Sequence, residues 1–143
     1  MIFSAQQIFS DDQAITATAI STNVIDLGAP ETPYDAKAAL HQDIGKGAKV
    51  PILIQVTETF TNLTSLTIAI ETGSTASLGT VVISKAVLLA DLVAGYQFPV
   101  DVLPNEIDEQ YLGVRYTVTG TAPDAGKLTA GITMGNQTNI TGA

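Results

Sequence analysis

Cysteine and tryptophan are absent from the 143 residues, and histidine occurs once, as His41. Without cysteine there is no disulfide framework, no thiolate nucleophile and no sulfur-ligated zinc. One histidine also excludes the histidine clusters of metal-dependent cupins. Positive charge is scarce: Lys and Arg total six against fourteen Asp and Glu, for a net charge of −8 and a pI near 4.2. Phosphate backbones and anionic membranes are bound by clustered Lys and Arg, so neither nucleic acid nor a membrane surface is an expected partner. Charged residues make up only 14% of the chain, against about 25% in ordinary globular domains. Either a Thr-rich surface does the solubilising, or part of the surface is covered in an assembly. No apolar run approaches the ~18 residues of a membrane span. The opening "MIFSAQQIFSDDQ" lacks the basic and long apolar regions of a secretory signal.

What the chain does have is strand patterning. "AITATAISTNVIDLG", residues 14–28, alternates Thr with apolar residues, then passes through a polar triplet into a second apolar burst. It reads as a strand over 14–20 that continues or bends over 23–27. Further alternating runs follow. Ile52, Ile54 and Val56 share a face, as do Leu66, Ile68 and Ile70. So do Tyr96, Phe98, Val100 and Val102; Leu112, Val114, Tyr116 and Val118; and Leu128, Ala130, Ile132 and Met134. Two short strands are expected on either side of Lys85, and Pro99 marks an edge or a bulge. Seven to nine short strands with turn signals every 8–15 residues indicate a single all-β domain, an antiparallel two-sheet sandwich. Eight strands in two sheets fit a jelly roll. An immunoglobulin-type sandwich has no Trp or Cys pair to support it. Residues 1–13 read as an N-terminal arm, which either grips a partner surface or folds back as a strand to complete the domain's own sheet. Residues 28–49 read as one long connection, punctuated by Pro30, Pro33, Gly45 and Gly47, with room for a helical turn or two over 34–42.

Chemistry is hard to place. His41 has Asp43 nearby but no nucleophile elbow, which favours a solvated loop histidine. "DIGKGAKVP" lacks the phosphate-loop pattern and leads into a strand, so it reads as a turn. Glu106, Asp108 and Glu109 lack calcium-loop spacing and read as a solvated acidic turn. Three Asn-x-Thr matches, at Asn62, Asn136 and Asn139, are ordinary in a Thr-rich chain. No catalytic, cofactor or metal residues are expected, and no enzyme activity.

A resemblance gives the patterning a purpose. The segments "MIFSAQQIFSDDQAITATAIST", "NVIDLGAPETPY", "DIGKGAKVPILIQV", "LTSLTI", "LADLVAGYQFPV", "YLGVRYTVTGTA" and "LTAGI" occur in order. Together they resemble the capsid cement, or decoration, proteins of short-tailed bacteriophages, of the type described in a Bordetella phage. The resemblance departs at residues 74–79 and in the tail. It implies a jelly roll on the outer capsid surface of the virion, paired as a homodimer, bound across major capsid protein subunits and stabilising the shell. Candidate capsid contacts are Ile2, Phe3, Ile8 and Phe9 of the arm, and Tyr34, Lys46 and Lys49 of the long connection. Candidate dimer contacts are Thr16 and Thr18. The competing expectation is a carbohydrate-binding jelly roll for host attachment. The aromatics argue against that use, because most fall in strand phase and suit the core.

Overall fold

The computed structural model describes residues 2–40, 49–105 and 107–135. His41, Asp43, Lys46, Glu106 and the sequons at Asn136 and Asn139 lie outside these. Eight strands are described: β1 (Phe3–Ala14), β2 (Ala19–Ile20), β3 (Ile25–Asp26), β4 (Ile52–Glu58), β5 (Leu63–Gly73), β6 (Thr80–Leu88), β7 (Tyr111–Gly120) and β8 (Lys127–Thr133). A single 3-10 turn, Leu89–Asp91, interrupts them. One sheet has the order β1-β8-β4. The other has the order β2-β7-β5-β6, with β3 also paired to β7. Every strand pair is antiparallel.

The connectivity is that of a jelly roll. β5 and β6 form a hairpin. Working outward from it, β4 pairs with residues 95–103 through bridges Gln55–Gln97 and Pro51–Val102. Next, β2 and β3 pair with β7, and finally β1 pairs with β8. This is one long ribbon folded back at 74–79. It is rolled so that β8 meets β4 and β7 meets β5, which closes the two sheets. Long-range backbone bonds run along 95–103, among them Phe98 N–H to the Ile54 carbonyl (2.9 Å) and Leu103 N–H to Val50 (2.9 Å).

The alternation sets which side chains meet between the sheets. Ile52, Ile54 and Val56 from β4 and Leu128 and Ala130 from β8 face Leu66, Ile68 and Ile70 from β5 and Leu112, Val114 and Tyr116 from β7; all are buried. Phe98 joins them, with Tyr96 and Val100 packed around the margin. The β8 phase ends early: Met134 is 86% exposed.

Three sequence-based expectations are corrected. Residues 1–13 are not a free arm. β1 is a twelve-residue strand of the smaller sheet, and Phe9 at 0% exposure belongs to the core. Its pairing with β8 shifts register three times, between Phe3 and Ile8, Ile8 and Ser10, and Ser10 and Gln13. Each shift breaks the period of two, so the strand leaves no alternating signature. The alternating stretch 14–20 is instead mostly a crossover. Ile15 is buried and donates its N–H to the Gly126 carbonyl (3.1 Å), and the chain passes from one sheet to the other before β2. Third, residues 80–88 are one strand rather than two. The described part of the long connection holds turns and one bridge, Glu31–Leu40, and no helix.

Candidate functional site

The polar triplet after the crossover stitches the sandwich corner. Ser21 Oγ accepts from Val114 N–H (3.1 Å) and donates to the Asn23 carbonyl (2.9 Å). Thr22 N–H donates to Gln13 Oε1 (2.9 Å). Asn23 reaches back to β1 with both its amides: its backbone N–H donates to Phe9 (2.9 Å) and its Nδ2 to Ile8 (2.9 Å). Gln13 Nε2 completes the corner by donating to the Ile20 carbonyl (3.0 Å). Beneath it, Ser10 Oγ donates to Gln13 Oε1 (2.6 Å). Ser10 has only one hydroxyl proton, so the Tyr116 hydroxyl is the donor in its 2.8 Å contact with Ser10. Burial pushes the Tyr116 phenol well above its ordinary range, with the Ser10 bond acting the other way. This network is structural: it ties β1, the crossover and β7 together.

A second polar cluster lies on the outer face of the smaller sheet. Asp12, at φ 47°, takes a hydrogen bond from Thr57 Oγ1 (2.7 Å) and an ion pair from Lys127 Nζ (3.3 Å), which also meets Glu58 (3.3 Å). The Thr57 hydroxyl first, and Lys127 second, hold the Asp12 carboxyl below its usual 3.8. A depressed carboxyl stabilises the fold above its unfolded value and loses that contribution as pH falls through the lower folded one. Stability is therefore expected to decline in acid, below about pH 4. Asp12→Asn keeps the left-handed backbone preference and removes only the charge. It should lower the urea midpoint at pH 7, and the two proteins should converge near pH 2. A constant offset between them from pH 7 to 2 contradicts the assignment.

A third cluster was invisible in the sequence. Glu71 is nearly buried, and Arg115 Nε holds both of its carboxylate oxygens at 2.9 and 2.8 Å. Arg115 Nη2 also donates to the Ser77 carbonyl (3.0 Å), latching the 74–79 turn over the larger sheet. Finding the pair required the β5–β7 register, in which Ala69 faces Arg115 and Glu71 faces Gly113.

The sheet edges are guarded. At β1, Asn23 occupies the Ile8 and Phe9 carbonyls. The 95–103 margin carries Pro99, and β2 and β3 have two residues each. The long open edge is β6. There Lys85 pairs with the core residue Ile68, which puts a charge on the inner face, and a bulge lies opposite Ile70 and Glu71. Both devices discourage edge-to-edge pairing. Lys85→Val is expected to make the sedimentation coefficient rise with concentration beyond wild type. Identical profiles for the two proteins would show that the lysine guards nothing.

The candidate contacts separate by position. Phe9 is in the core and presents nothing outward. Phe3 and Ile8 are half-buried and lie over Gly131: a Cβ placed there would sit 3.0 Å from the Phe3 ring and 3.3 Å from Ile8 Cγ1. Thr18 Oγ1 accepts the Val118 N–H (3.0 Å), while Thr16 is exposed on the flank where the chain changes sheets. Ile2, Tyr34 and Lys49 are exposed, and all three lie on segments leaving the same end of the sandwich. β1 starts and β8 finishes at that end, where Met134 N–H donates to the Ile2 carbonyl (3.3 Å). The 28–40 segment departs there as well, fixed by Leu27 N–H to the Gln110 carbonyl (2.7 Å) and by Asp26 Oδ1, which accepts from Gly28 N–H (2.8 Å) and Gln110 Nε2 (3.0 Å). It closes into a hairpin through Leu40 N–H to Glu31 (2.7 Å) and turns at 33–36, where Ala36 N–H meets the Pro33 carbonyl (3.0 Å). Residues 29–40 are all exposed. An open depression of about 450 Å³ between the hairpin limbs is lined by Gly28, Ala29, Glu31, Thr32, Pro33 and Leu40. Among the described residues, no group of three or more His, Cys, Asp or Glu could hold a metal ion. No helix among them is long and apolar enough to cross a membrane.

A jelly-roll sandwich with a projecting hairpin at one end defines an all-β protein whose distinctive features are on its surface. The chain belongs to the Bbp16 family, which matches it over residues 9–132 and carries the name of a Bordetella phage protein; it is a phage-related protein. A comparison with curated proteins finds no match to it.

Proposed function

We propose that the protein is a structural virion protein that decorates the outer capsid surface, bridges major capsid protein subunits and stabilises the shell. The observation that carries this reading is the phage family match across residues 9–132, on a jelly-roll body with exposed apolar side chains on projecting segments. A low charged fraction agrees with it, because assembly contacts are depleted in charge at their centres. The protein acts as a homodimer, paired isologously. Guarded edges disfavour strand addition, and exposed Thr16, at the end where the chain crosses between the sheets, is the candidate contact for that pairing. The test is direct: purified protein is added to shells stripped of it. Expected are saturable co-sedimentation, density at fixed sites in particle images, and a higher temperature of shell rupture. Shells that neither bind the protein nor gain stability from it sink the proposal.

A further inference from the structure

Of the seven large apolar side chains exposed among the described residues, four lie on segments at the hairpin end: Ile2, Tyr34, Leu40 and Met134. The opposite end, built from residues 15–18, 59–62, 89–94 and 121–126, is richer in Thr and Ala and adds only Val93 beyond the strand termini. Tyr34 stands out. Its ring is fully exposed at the hairpin turn. Pro33 precedes it with a fixed φ, and Asp35 follows at φ 61°. The turn thus carries the ring outward on a backbone already set, which reduces the ordering cost of an interface. Tyrosine is among the residues that most often dominate interface energy.

Charge decides what kind of surface fits. At this end Asp26, Glu31, Asp35, Asp108 and Glu109 stand against Lys37 and Lys49 among the described residues. Two copies meeting hairpin to hairpin would bring like charges together, which disfavours self-pairing here. The complement is a different protein with an apolar pocket and a basic rim.

We infer that the hairpin end is the shell-facing end of the protein, with Tyr34 as its anchor in an apolar, basic-rimmed pocket of the capsid surface. This rests on the decoration role proposed above. The hairpin supplies a stiff aromatic anchor, Ile2, Leu40 and Met134 supply surrounding apolar contact, and the carboxylates steer the approach.

The test compares binding of full-length variants to stripped shells. Tyr34→Ala should weaken binding about thirtyfold or more, the loss typical of an aromatic hot spot. Tyr34→Phe, which keeps the ring, should stay within about threefold. Val93→Arg, at the opposite end, should bind as wild type. Melting should not change for the Tyr34 variants, because the side chain touches no core. Wild-type binding should weaken as salt rises, because the rim is charged. Tyr34→Ala at wild-type affinity overturns the inference while leaving the decoration role standing. A loss confined to Val93→Arg reverses the orientation, and binding indifferent to salt removes the basic rim. Failure of the wild type to bind overturns the decoration role and this inference with it.

Discussion

Removing residues 1–9 is expected to abolish cooperative folding rather than release a trimmed but intact domain. The truncation takes away the first seven residues of β1, an edge strand of a three-stranded sheet. It deletes Phe9 from the core and uncovers the β8 surface at Gly131 that Phe3 and Ile8 lie over. It also leaves Asn23 without the two carbonyls that hold the crossover in place. Phe9→Ala isolates one part of this. A fully buried phenylalanine cut to alanine costs about 3–5 kcal/mol. In a domain of this length that is a fall in melting temperature of about 10–20 °C. The whole stability of such a domain is about 5–15 kcal/mol, so the truncation, which adds lost pairing to the cavity, should exceed what the fold can bear. Circular dichroism melts of both variants check it. A truncated chain that melts within a few degrees of full length would show that β1 is dispensable and restore the N-terminal stretch as a detachable arm.

Among the described glycines, Gly126→Ala should be the most damaging single added methyl. Gly126 has φ 138°, which alanine adopts only with strain, and an added Cβ would drive into the Phe60 ring. Phe60 is itself 2% exposed and cannot swing into solvent. Gly126 also offers its carbonyl to Ile15 at the crossover, so any backbone shift that relieves the clash loosens the passage between the sheets. Strain and overpacking together come to about 2–6 kcal/mol. Gly95→Ala is the matched control. Its φ is 94°, but no atom lies within 4 Å of the new methyl, so only the conformational cost of about 1–2 kcal/mol remains. Chemical denaturation midpoints should separate the two variants clearly. Equal midpoints would mean that the Phe60 ring yields and that packing around the crossover is looser than described.

Most of the core could be read in the sequence because its strands obey the period of two. Ile52, Ile54 and Val56, then Leu66, Ile68 and Ile70, then Leu112, Val114 and Tyr116 alternate with residues of the outer face, and membership of the core between the sheets follows that alternation, although Leu53, Ala69 and Glu71 on the outer faces are buried as well. Their number and spacing were enough for an antiparallel sandwich. The N-terminal strand failed this reading for a physical reason: its three register shifts break the period of two, and Phe9 and Ser10, adjacent in sequence, are both buried. The cleaner alternation of residues 14–20 belongs to a crossover whose exposed Thr16 and hydrogen-bonded Thr18 only imitate a strand face.

Of the surface candidates, the exposure of Ile2, Tyr34 and Lys49 was legible, since apolar or charged residues in unpatterned segments have no strand partner to cover them. Their common end was not, because residues 2, 34, 49 and 134 meet only after the ribbon has rolled. The sequence by itself determined an acidic, cysteine-free, all-β chain with one hydrophobic core, because alternation and composition are local properties. Tertiary structure alone decided that the Glu71–Arg115 pair is buried, that Asn23 closes the β1 edge, and that Tyr34 projects from the same end as Ile2 and Met134. Each of these joins residues tens of positions apart or more, or seals a strand against its own neighbour. Only the register of the closed sandwich brings those atoms within hydrogen-bonding reach or onto one surface.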